Sequence, residues 1–222
     1  MIAEVSVEQR AGRHRALGDV HRLAIIDALW TGDRTAAQLQ EQTGLASNLL
    51  AFHLNVLEQA GLVSRHPSQG DRRRRYVTLT PAAIPHVGPV ARLAVVCVLF
   101  VCTHNAARSQ IAAALWRART GGAAASAGTR PAARVHPLAV TVAADHGLDL
   151  SRARPTDLAD IDVAPDLVVS VCDRANEAGS GLDVPHRHWS IPDPDGGDLR
   201  TFTATFDAIA ARIDRLAAEV MA

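Results

Sequence analysis

The chain has 222 residues, 48% of them hydrophobic and 21% charged, which suffices for one large domain or two ordinary ones with packed cores. Its formal net charge of zero argues against nucleic-acid binding through overall charge, and no apolar run reaches the length of a membrane span. The opening MIAEVSVEQR lacks a charged and then apolar leader, and three cysteines fit a reducing compartment better than a disulfide scaffold, so we expect a cytoplasmic protein.

The N-terminal part shows helical periodicity followed by strand-like alternation. Apolar residues recur at helical spacing from about Glu8 to Trp30, which predicts one helix. Two further helices, AAQLQEQT and NLLAFHLNVLEQA, each end at a glycine and follow a hydroxyl residue that can cap them, Thr35 and Ser47. LVSRHPS and RRYVTLT then alternate like the two strands of a hairpin. We therefore predict a winged helix-turn-helix over residues 1–85, mostly α with a β-hairpin wing.

The segments LGDVHRLAIIDAL, TAAQLQEQTGL and HLNVLEQAGLVSRH resemble the arsenical-repressor family of winged-helix regulators, over roughly residues 8–80. The resemblance implies a homodimer that binds DNA, with the third helix in the major groove and the wing on phosphates. The predicted DNA contacts are polar residues of that helix and an arginine run in the wing: Ser47, Asn48, His53, Arg72, Arg73, Arg74 and Arg75.

Two features depart from this family. No cysteine precedes Cys97, so thiol-based metalloid sensing within the domain is not expected. Ala51 and Phe52 stand where relatives commonly present polar side chains to the bases. Alternatives stay open: the arginine run is a solvated turn, His53 is a half-buried histidine bonded to backbone, or the domain serves only for dimerisation.

Three prolines and a glycine in PAAIPHVGPVARL predict a short interrupted helix and a domain boundary near residues 82–94. A second domain, over residues 93–222, follows. In it VLFVC and Leu167 to Val171 predict buried strands, HPLAVTVAADHGL a helix, HRHWSIPDPDGG a loop, and FTATFDAIAARIDRLAAEV a helix capped near Thr203 or Thr205. Strands that alternate with helices predict an α/β open parallel sheet, which binds ligands at the carboxyl ends of its strands.

The sequence VLFVCTHNAARSQ puts a cysteine, Cys102, at the end of a strand and an arginine, Arg108, shortly after it. The spacing suits a tight loop around a tetrahedral oxyanion, because loop N–H groups and the next helix N-terminus favour negative charge. The same field favours thiolate at Cys102, Ser109 can donate to it, and Arg108 can hold two anion oxygens. A reactive cysteine is therefore predicted, the alternative being a buried cysteine with an arginine nearby by chance.

CTHNAARSQ, SAGT, LVVSVCD and HWSIPDP resemble the low-molecular-weight tyrosine phosphatase superfamily, and within it the arsenate reductases of that fold, over about residues 95–220. The resemblance implies that fold, with Cys102 as nucleophile, Arg108 as anion clamp and Ser109 as thiolate partner. Asn105 would brace the loop and Asp193 would be the general acid, unless PDPDGG is simply a polar turn. The predicted substrate-binding loop comprises Thr103, His104, Asn105, Ala106, Ala107 and Arg108.

Two residues favour a reductase over a phosphatase. Gln110 follows the loop serine, where phosphatases usually have proline, and Cys172 matches the first resolving cysteine of thioredoxin-linked reductases. A second thiol can attack the Cys102 adduct and release arsenite. Those reductases have a further cysteine where this chain has Gly179, and Cys97 is expected in the core. Cys172 is therefore either the redox partner of Cys102 or a small buried residue, in which case a low-molecular-weight thiol acts on Cys102.

Three histidines lie near this predicted chemistry. His104 is in the loop, where it can tune the Cys102 thiolate or shape the rim. His186 and His188 form a His-x-His pair, but with no nearby cysteine ligand we predict no metal site there.

The sequence thus predicts an arsenate reductase fused to a DNA-binding regulator domain, acting in arsenic resistance as a homodimer away from membranes. No bound cofactor is predicted, and the reductant is an external thiol system: thioredoxin, mycothiol with mycoredoxin, or glutathione with glutaredoxin. One alternative is a phosphatase for phosphotyrosine or small phosphate esters, fused to a regulator. The other is a transcription factor whose second domain only senses an oxyanion, although such a sensor would not need Asp193.

Overall fold

A computed structural model of the protein describes residues 6–30, 32–80, 95 and 97–220. The chain divides into two compact units, one from the first helix to the hairpin and one from the cysteine strand to the last helix. The boundary and short helix predicted near residues 82–94 lie outside the described residues, so the exact domain limits stay predictions. Within the described part, no helix is both long and apolar enough to cross a membrane.

The N-terminal unit contains four helices and a small antiparallel sheet. The helices are α1 (Val7–Leu17), α2 (Val20–Trp30), α3 (Ala36–Thr43) and α4 (Ser47–Gln59), and the strands are β1 (Arg34–Thr35), β2 (Val63–Pro67) and β3 (Arg75–Leu79). Strand β3 lies between the other two, and Val63 pairs with Leu79 in the hairpin. Apolar side chains from all four helices and the hairpin form its core, among them Ala16, Ile25, Leu39, Leu57 and Val77. The predicted winged helix-turn-helix is confirmed.

Two details of this unit differ from the sequence predictions. The single helix from Glu8 to Trp30 is wrong, because the chain forms two helices separated at Gly18 and Asp19. The Asp19 carboxylate accepts two backbone N–H bonds of the following turn, both at 3.0 Å, and so starts α2. The predicted cap at Ser47 is also wrong: Ala46 is the N-cap of α4, without a side-chain bond.

The C-terminal unit is a parallel four-stranded sheet with helices. Its strands are β4 (Cys97–Cys102), β5 (Ala123–Gly128), β6 (Leu167–Ser170) and β7 (His186–His188), and its helices are α5 (Arg108–Thr120), α6 (Pro137–Asp145), α7 (Asp173–Ala178) and α8 (Leu199–Val220). The strand order is β5-β4-β6-β7, and every pairing is parallel. The predicted open parallel α/β sheet is confirmed, and β4 is an inner strand of it.

Three predicted boundaries shift in this unit. The predicted loop HRHWSIPDPDGG begins with strand β7, and the strand predicted to reach Val171 ends at Ser170. The last helix begins at Leu199 rather than near Thr203 or Thr205, because the Asp198 carboxylate accepts a backbone N–H of its first turn at 3.0 Å.

The core behind the end of β4 is aromatic. Phe100 is fully buried on that strand, and its ring lies 6.5 Å from the Trp116 ring and 5.9 Å from the Trp189 ring, measured between centroids. Trp116 belongs to α5, and Trp189 comes directly after β7. This packing fixes the helix and the segment that flank the cysteine loop.

Candidate active site

The loop between β4 and α5 is held from outside by its carbonyl groups. Oxygens of Cys102, Thr103, His104 and Ala106 accept backbone N–H bonds from Thr129, Arg130, Ala132 and His136, at 2.8–3.1 Å. Because a trans peptide directs its N–H opposite to its carbonyl, the N–H groups of the same peptides face the interior of the loop. The arrangement is a concave nest of donors, as an oxyanion requires.

Asn105 fixes the shape of this loop. It is completely buried, and it is the one non-glycine residue with positive φ (48°) in the described part of the chain. Its amide donates to the Ser109 hydroxyl at 2.7 Å, and its carbonyl oxygen accepts from the Gln110 side chain at 3.0 Å and the Thr156 N–H at 2.8 Å. The backbone strain is therefore offset by bonds that only an amide side chain makes together.

The Cys102 sulfur lies among donors at the foot of the loop. The Asn105 N–H donates to it at 3.1 Å, and the Ser109 hydroxyl lies 3.1 Å away. Since that hydroxyl already accepts from the Asn105 amide, its own proton is available to the sulfur. Helix α5 begins just beyond the loop and adds the positive end of its dipole. These groups together stabilise a negatively charged sulfur.

Arg108 connects the loop to the segment after β7. Its guanidinium is buried, donates to the Ile191 carbonyl at 2.9 Å, and lies 2.7 Å from the Asp193 carboxylate. Asp193 is about one-third exposed. A positive group and a carboxyl group thus meet at the loop, and their roles as anion clamp and general acid stay predictions.

Cys172 lies beside the loop as well. Its sulfur is 3.4 Å from the Thr103 hydroxyl and caps α7 by accepting the Ala175 N–H at 3.4 Å. Burial raises the pKa of the Cys172 thiol, although the Arg108 charge acts in the opposite direction. All three cysteines of the chain are free thiols, and Cys97 lies at the start of β4, away from the loop end.

Gly179, which stands where the resemblance to thioredoxin-linked reductases implies a further cysteine, lies at the end of a helix. Helix α7 ends at Ala178, and Gly179 follows with a φ of 77°, in the region that favours glycine. The backbone there is therefore shaped for a residue without a side chain.

A cavity of about 430 Å³ opens above the loop. His104, Ala106 and Ala107 line it together with Asp195 of the PDPDGG segment, and so do three groups that the motifs did not reveal: Arg134, His136 and Phe202. The His136 ring stacks on Phe202 at 4.5 Å, and its Nδ1 accepts the Leu138 N–H at 3.2 Å. Nε2 then holds the proton in the neutral ring. The outer cavity thus combines aromatic rings with both basic and acidic side chains.

The sequence motifs also did not predict a buried polar network next to Cys172. The Asp173 carboxylate accepts the Ser190 hydroxyl at 2.5 Å and lies 3.1 Å from His188 Nε2, while His188 Nδ1 lies 3.0 Å from the Ser170 hydroxyl. Burial acts to raise the pKa of Asp173, but the bonds to His188 and Ser190 outweigh it, so this pKa is lowered. His188 is thus a structural partner of a carboxylate, and the described residues contain no group of three His, Cys, Asp or Glu that could hold a metal.

The predicted DNA contacts fall into two groups. Ser47, Asn48 and the run Arg72 to Arg75 are exposed, as a contact surface requires. His53 is 4% exposed and faces the Asp19 carboxylate at 3.8 Å, so the structure argues against a base contact by its ring.

A parallel sheet whose inner strand ends in a cysteine loop closed by an arginine defines a protein that binds an oxyanion at a sulfur nucleophile. The chain belongs to the low molecular weight phosphotyrosine protein phosphatase family, whose profile matches residues 97–222. The profile of a helix-turn-helix domain matches residues 17–66. The chain therefore joins two domains of different classes, as the sequence predicts.

Similar proteins match the second unit over nearly their whole length. A glutaredoxin arsenate reductase of Synechocystis sp. is 30% identical over 135 residues, which are 55% of this chain and 97% of that protein. An arsenate reductase of Brevibacillus brevis is 34% identical, over 54% and 92% respectively. The crystal structure of an arsenate reductase from Archaeoglobus fulgidus is 34% identical, has a TM-score of 0.51, and covers 54% of this chain and 98% of that chain.

Proposed function

We propose that the C-terminal unit reduces arsenate to arsenite and that the N-terminal unit binds DNA, so that enzyme and regulator act in arsenic resistance within one chain. The observation that supports the reductase is the Cys102 sulfur, bonded by Asn105 and Ser109 and facing Arg108 in a donor-lined loop. The 30–34% sequence identity to arsenate reductases, over nearly their whole length, supports arsenate as the oxyanion.

The first step is attack by the Cys102 thiolate on arsenic, which forms a sulfur–arsenic bond and expels one oxygen as water. Arg108 and the loop N–H groups hold the remaining oxygens, and Asp193 supplies the proton to the leaving oxygen. A second thiolate then attacks the Cys102 sulfur. The sulfur–arsenic bond breaks with its electron pair on arsenic, arsenite leaves, and the two sulfurs form a disulfide, so arsenic gains the two electrons that the thiols lose.

For the second thiol we propose a low-molecular-weight thiol that enters through the cavity. Cys172 is buried, its raised pKa keeps it protonated at neutral pH, and Gly179 replaces a further cysteine. The cavity measures about 430 Å³, so it has room for a small organic thiol beside an oxyanion. A redoxin would then open the resulting mixed disulfide, consistent with the glutaredoxin in the name of the Synechocystis relative.

The purified full-length protein tests this proposal when arsenite release is measured with glutathione and glutaredoxin, mycothiol and mycoredoxin, and thioredoxin systems. We expect turnover with a small thiol, its loss in Cys102→Ser, and its retention in Cys172→Ser. Loss in both variants would assign the second thiol to Cys172. Absence of arsenite with every reductant, including dithiothreitol, would overturn the reductase proposal.

A phosphatase is the second candidate, since the carboxyl group of Asp193 lies 2.7 Å from Arg108, where it can protonate an ester oxygen. Release of phosphate from an aryl phosphate, measured on the same preparation, compares the two. Rapid aryl phosphate hydrolysis without arsenate turnover would favour the phosphatase.

For the N-terminal unit we propose DNA binding as a homodimer, through α4 and the arginine run of the wing. Thiol-dependent reduction and DNA binding in one chain fit the reducing cytoplasm. A gel shift with the promoter region of the chain's own gene, measured over a range of salt concentrations, tests this half. A lack of any shift at low salt would defeat it.

A further inference from the structure

Helix α4 presents an uncharged outer face. Leu50, Leu54 and Leu57 are buried on its inner side, whereas Asn48 and Phe52 are exposed on the opposite side, at the i and i+4 spacing of a single stripe. Ala51 is exposed beside them. None of the 13 residues of the helix is arginine or lysine.

Phe52 is the unusual member of this face. It is 57% exposed, more than any other Phe, Tyr or Trp among the described residues, and its ring meets the buried His53 ring edge-on at 5.3 Å. Since His53 is fixed in the core, this contact orients an apolar ring outward from the helix. Exposure of so large an apolar side chain has a free-energy cost that burial against a partner would remove.

The two asparagine side chains of this face differ in whether they already have a hydrogen-bond partner. The Asn55 oxygen accepts from the Arg65 guanidinium at 2.7 Å, and Arg65 also donates to the Glu58 carboxylate at 3.0 Å. The side chain of Asn48 makes no hydrogen bond to any residue among those described, so its amide can present a donor and an acceptor together to a ligand.

These side chains match one pair of bases. An asparagine amide bonds in a bidentate way to adenine, and an apolar side chain packs on the C5-methyl group of thymine, whereas guanine is read mainly by arginine or lysine. The N-terminal half of a recognition helix, where Asn48, Ala51 and Phe52 lie, is the part that reaches base edges.

We infer that α4 reads A·T base pairs, with Asn48 on adenine and with Ala51 and Phe52 on thymine methyl groups. This inference rests on the proposed DNA binding of the N-terminal unit and adds the base that it recognises. Phosphate contacts by the arginine run then supply affinity without sequence preference, while the apolar part of α4 supplies specificity.

Selection of binding sites from random duplex DNA by the full-length protein, at fixed salt, tests the inference first. We expect an A·T-rich core in the selected half-sites. A core dominated by G·C pairs would overturn the inference and leave DNA binding intact. Failure to bind any duplex at low salt would overturn the proposed DNA binding and the inference with it.

Replacement of each thymine of the selected site by deoxyuridine removes the methyl group and keeps the base pairing. Burial of one methyl group corresponds to about a fourfold change in affinity, so we expect a loss of about that size at one or two positions. In Phe52→Ala the thymine and deoxyuridine sites should bind with more nearly equal affinity. The matched control is Leu182→Ala, an exposed apolar residue of the second unit, in which the methyl dependence should persist.

Two further outcomes would contradict the inference. One is an affinity that does not change with deoxyuridine at any position. The other is a Phe52→Ala protein that loses its dimer by light scattering while its circular dichroism stays unchanged, because Phe52 would then be a contact to a second copy of the chain.

Discussion

At the scale of single residues, Asn105 combines two roles in the loop. Its positive φ turns the backbone so that its N–H reaches the Cys102 sulfur, while its side chain bonds to Ser109, Gln110 and Thr156. The motif predicted a bracing role, and the structure adds the polar groups that it joins. A glycine would accept the backbone angle but would leave those groups without partners.

Asn105→Ala should lower the free energy of unfolding by about 1–3 kcal/mol, because buried polar groups of Gln110 and Thr156 lose their acceptor. Oxyanion affinity should fall as well, since the loop loses its fixed shape. Urea unfolding and inhibition by phosphate measure the two effects. Asn48→Ala, an exposed asparagine, should change stability by less than about 0.5 kcal/mol; equal losses in both variants would contradict the argument.

Gly128, at the end of β5, is a second residue that the loop requires. A Cβ there would lie 2.8 Å from the Thr103 carbonyl oxygen and 3.1 Å from the Asn105 nitrogen, both backbone atoms. Gly128→Ala should therefore displace the loop and lower kcat/KM by about a hundredfold, the effect of a misplacement of about 1 Å. In the control Gly12→Ala the new Cβ meets nothing within 4 Å, so activity should not change. Full activity of Gly128→Ala would show that the loop tolerates the shift.

At the scale of elements, periodicity and turn residues predicted the long helices, the hairpin and the parallel sheet. The same apolar pattern runs unbroken across Gly18 and Asp19, so it could not reveal the break that the Asp19 carboxylate stabilises. Strand β7 has only three residues, His186–His188, and forms because β6 offers a parallel edge, which no local pattern reports. Arg134 and His136 were not predicted at the site either, because the fold, and no local sequence motif, brings them to the cavity.

Asp173, at the start of α7, bonds to His188 and Ser190 at the end of β7 and just beyond it. Because its pKa is lowered, we expect its contribution to stability to depend on pH. A carboxyl group with a folded pKa below its ordinary value of 3.8 stabilises the fold above that value, and this stabilisation is lost as pH falls through the folded pKa. Asp173→Asn should therefore unfold at lower urea concentration than the unmodified protein at pH 7. The difference should shrink below about pH 4.

Urea unfolding from pH 7 down to pH 3 measures this difference. Asp207→Asn, at an exposed position of α8, is the control and should follow the unmodified protein at every pH. A deficit for Asp173→Asn that stays constant down to pH 3 would mean that the carboxylate charge does not contribute.

At the scale of the whole molecule, zero net charge means that any affinity for DNA depends on local charge. Each phosphate contact contributes about 0.9 to the slope of log affinity against log salt. Replacement of Arg72 and Arg75 by glutamine should therefore reduce that slope by about two, measured by fluorescence anisotropy with a DNA duplex. The paired control, Arg152→Gln with Arg200→Gln in the second unit, should keep the original slope. An unchanged slope in both double variants would mean that the wing does not contact DNA.

The aromatic core behind the loop also gives the second unit an optical signal. Trp116 and Trp189 are two of the three tryptophans in the chain, and both pack on Phe100 directly beneath the site. Trp189 is followed by Ser190 and Ile191, which bond to Asp173 and Arg108, so its indole should respond when the guanidinium rearranges around a bound anion. In a Trp30→Phe background, the intrinsic emission of the protein becomes a label-free titration of oxyanion occupancy.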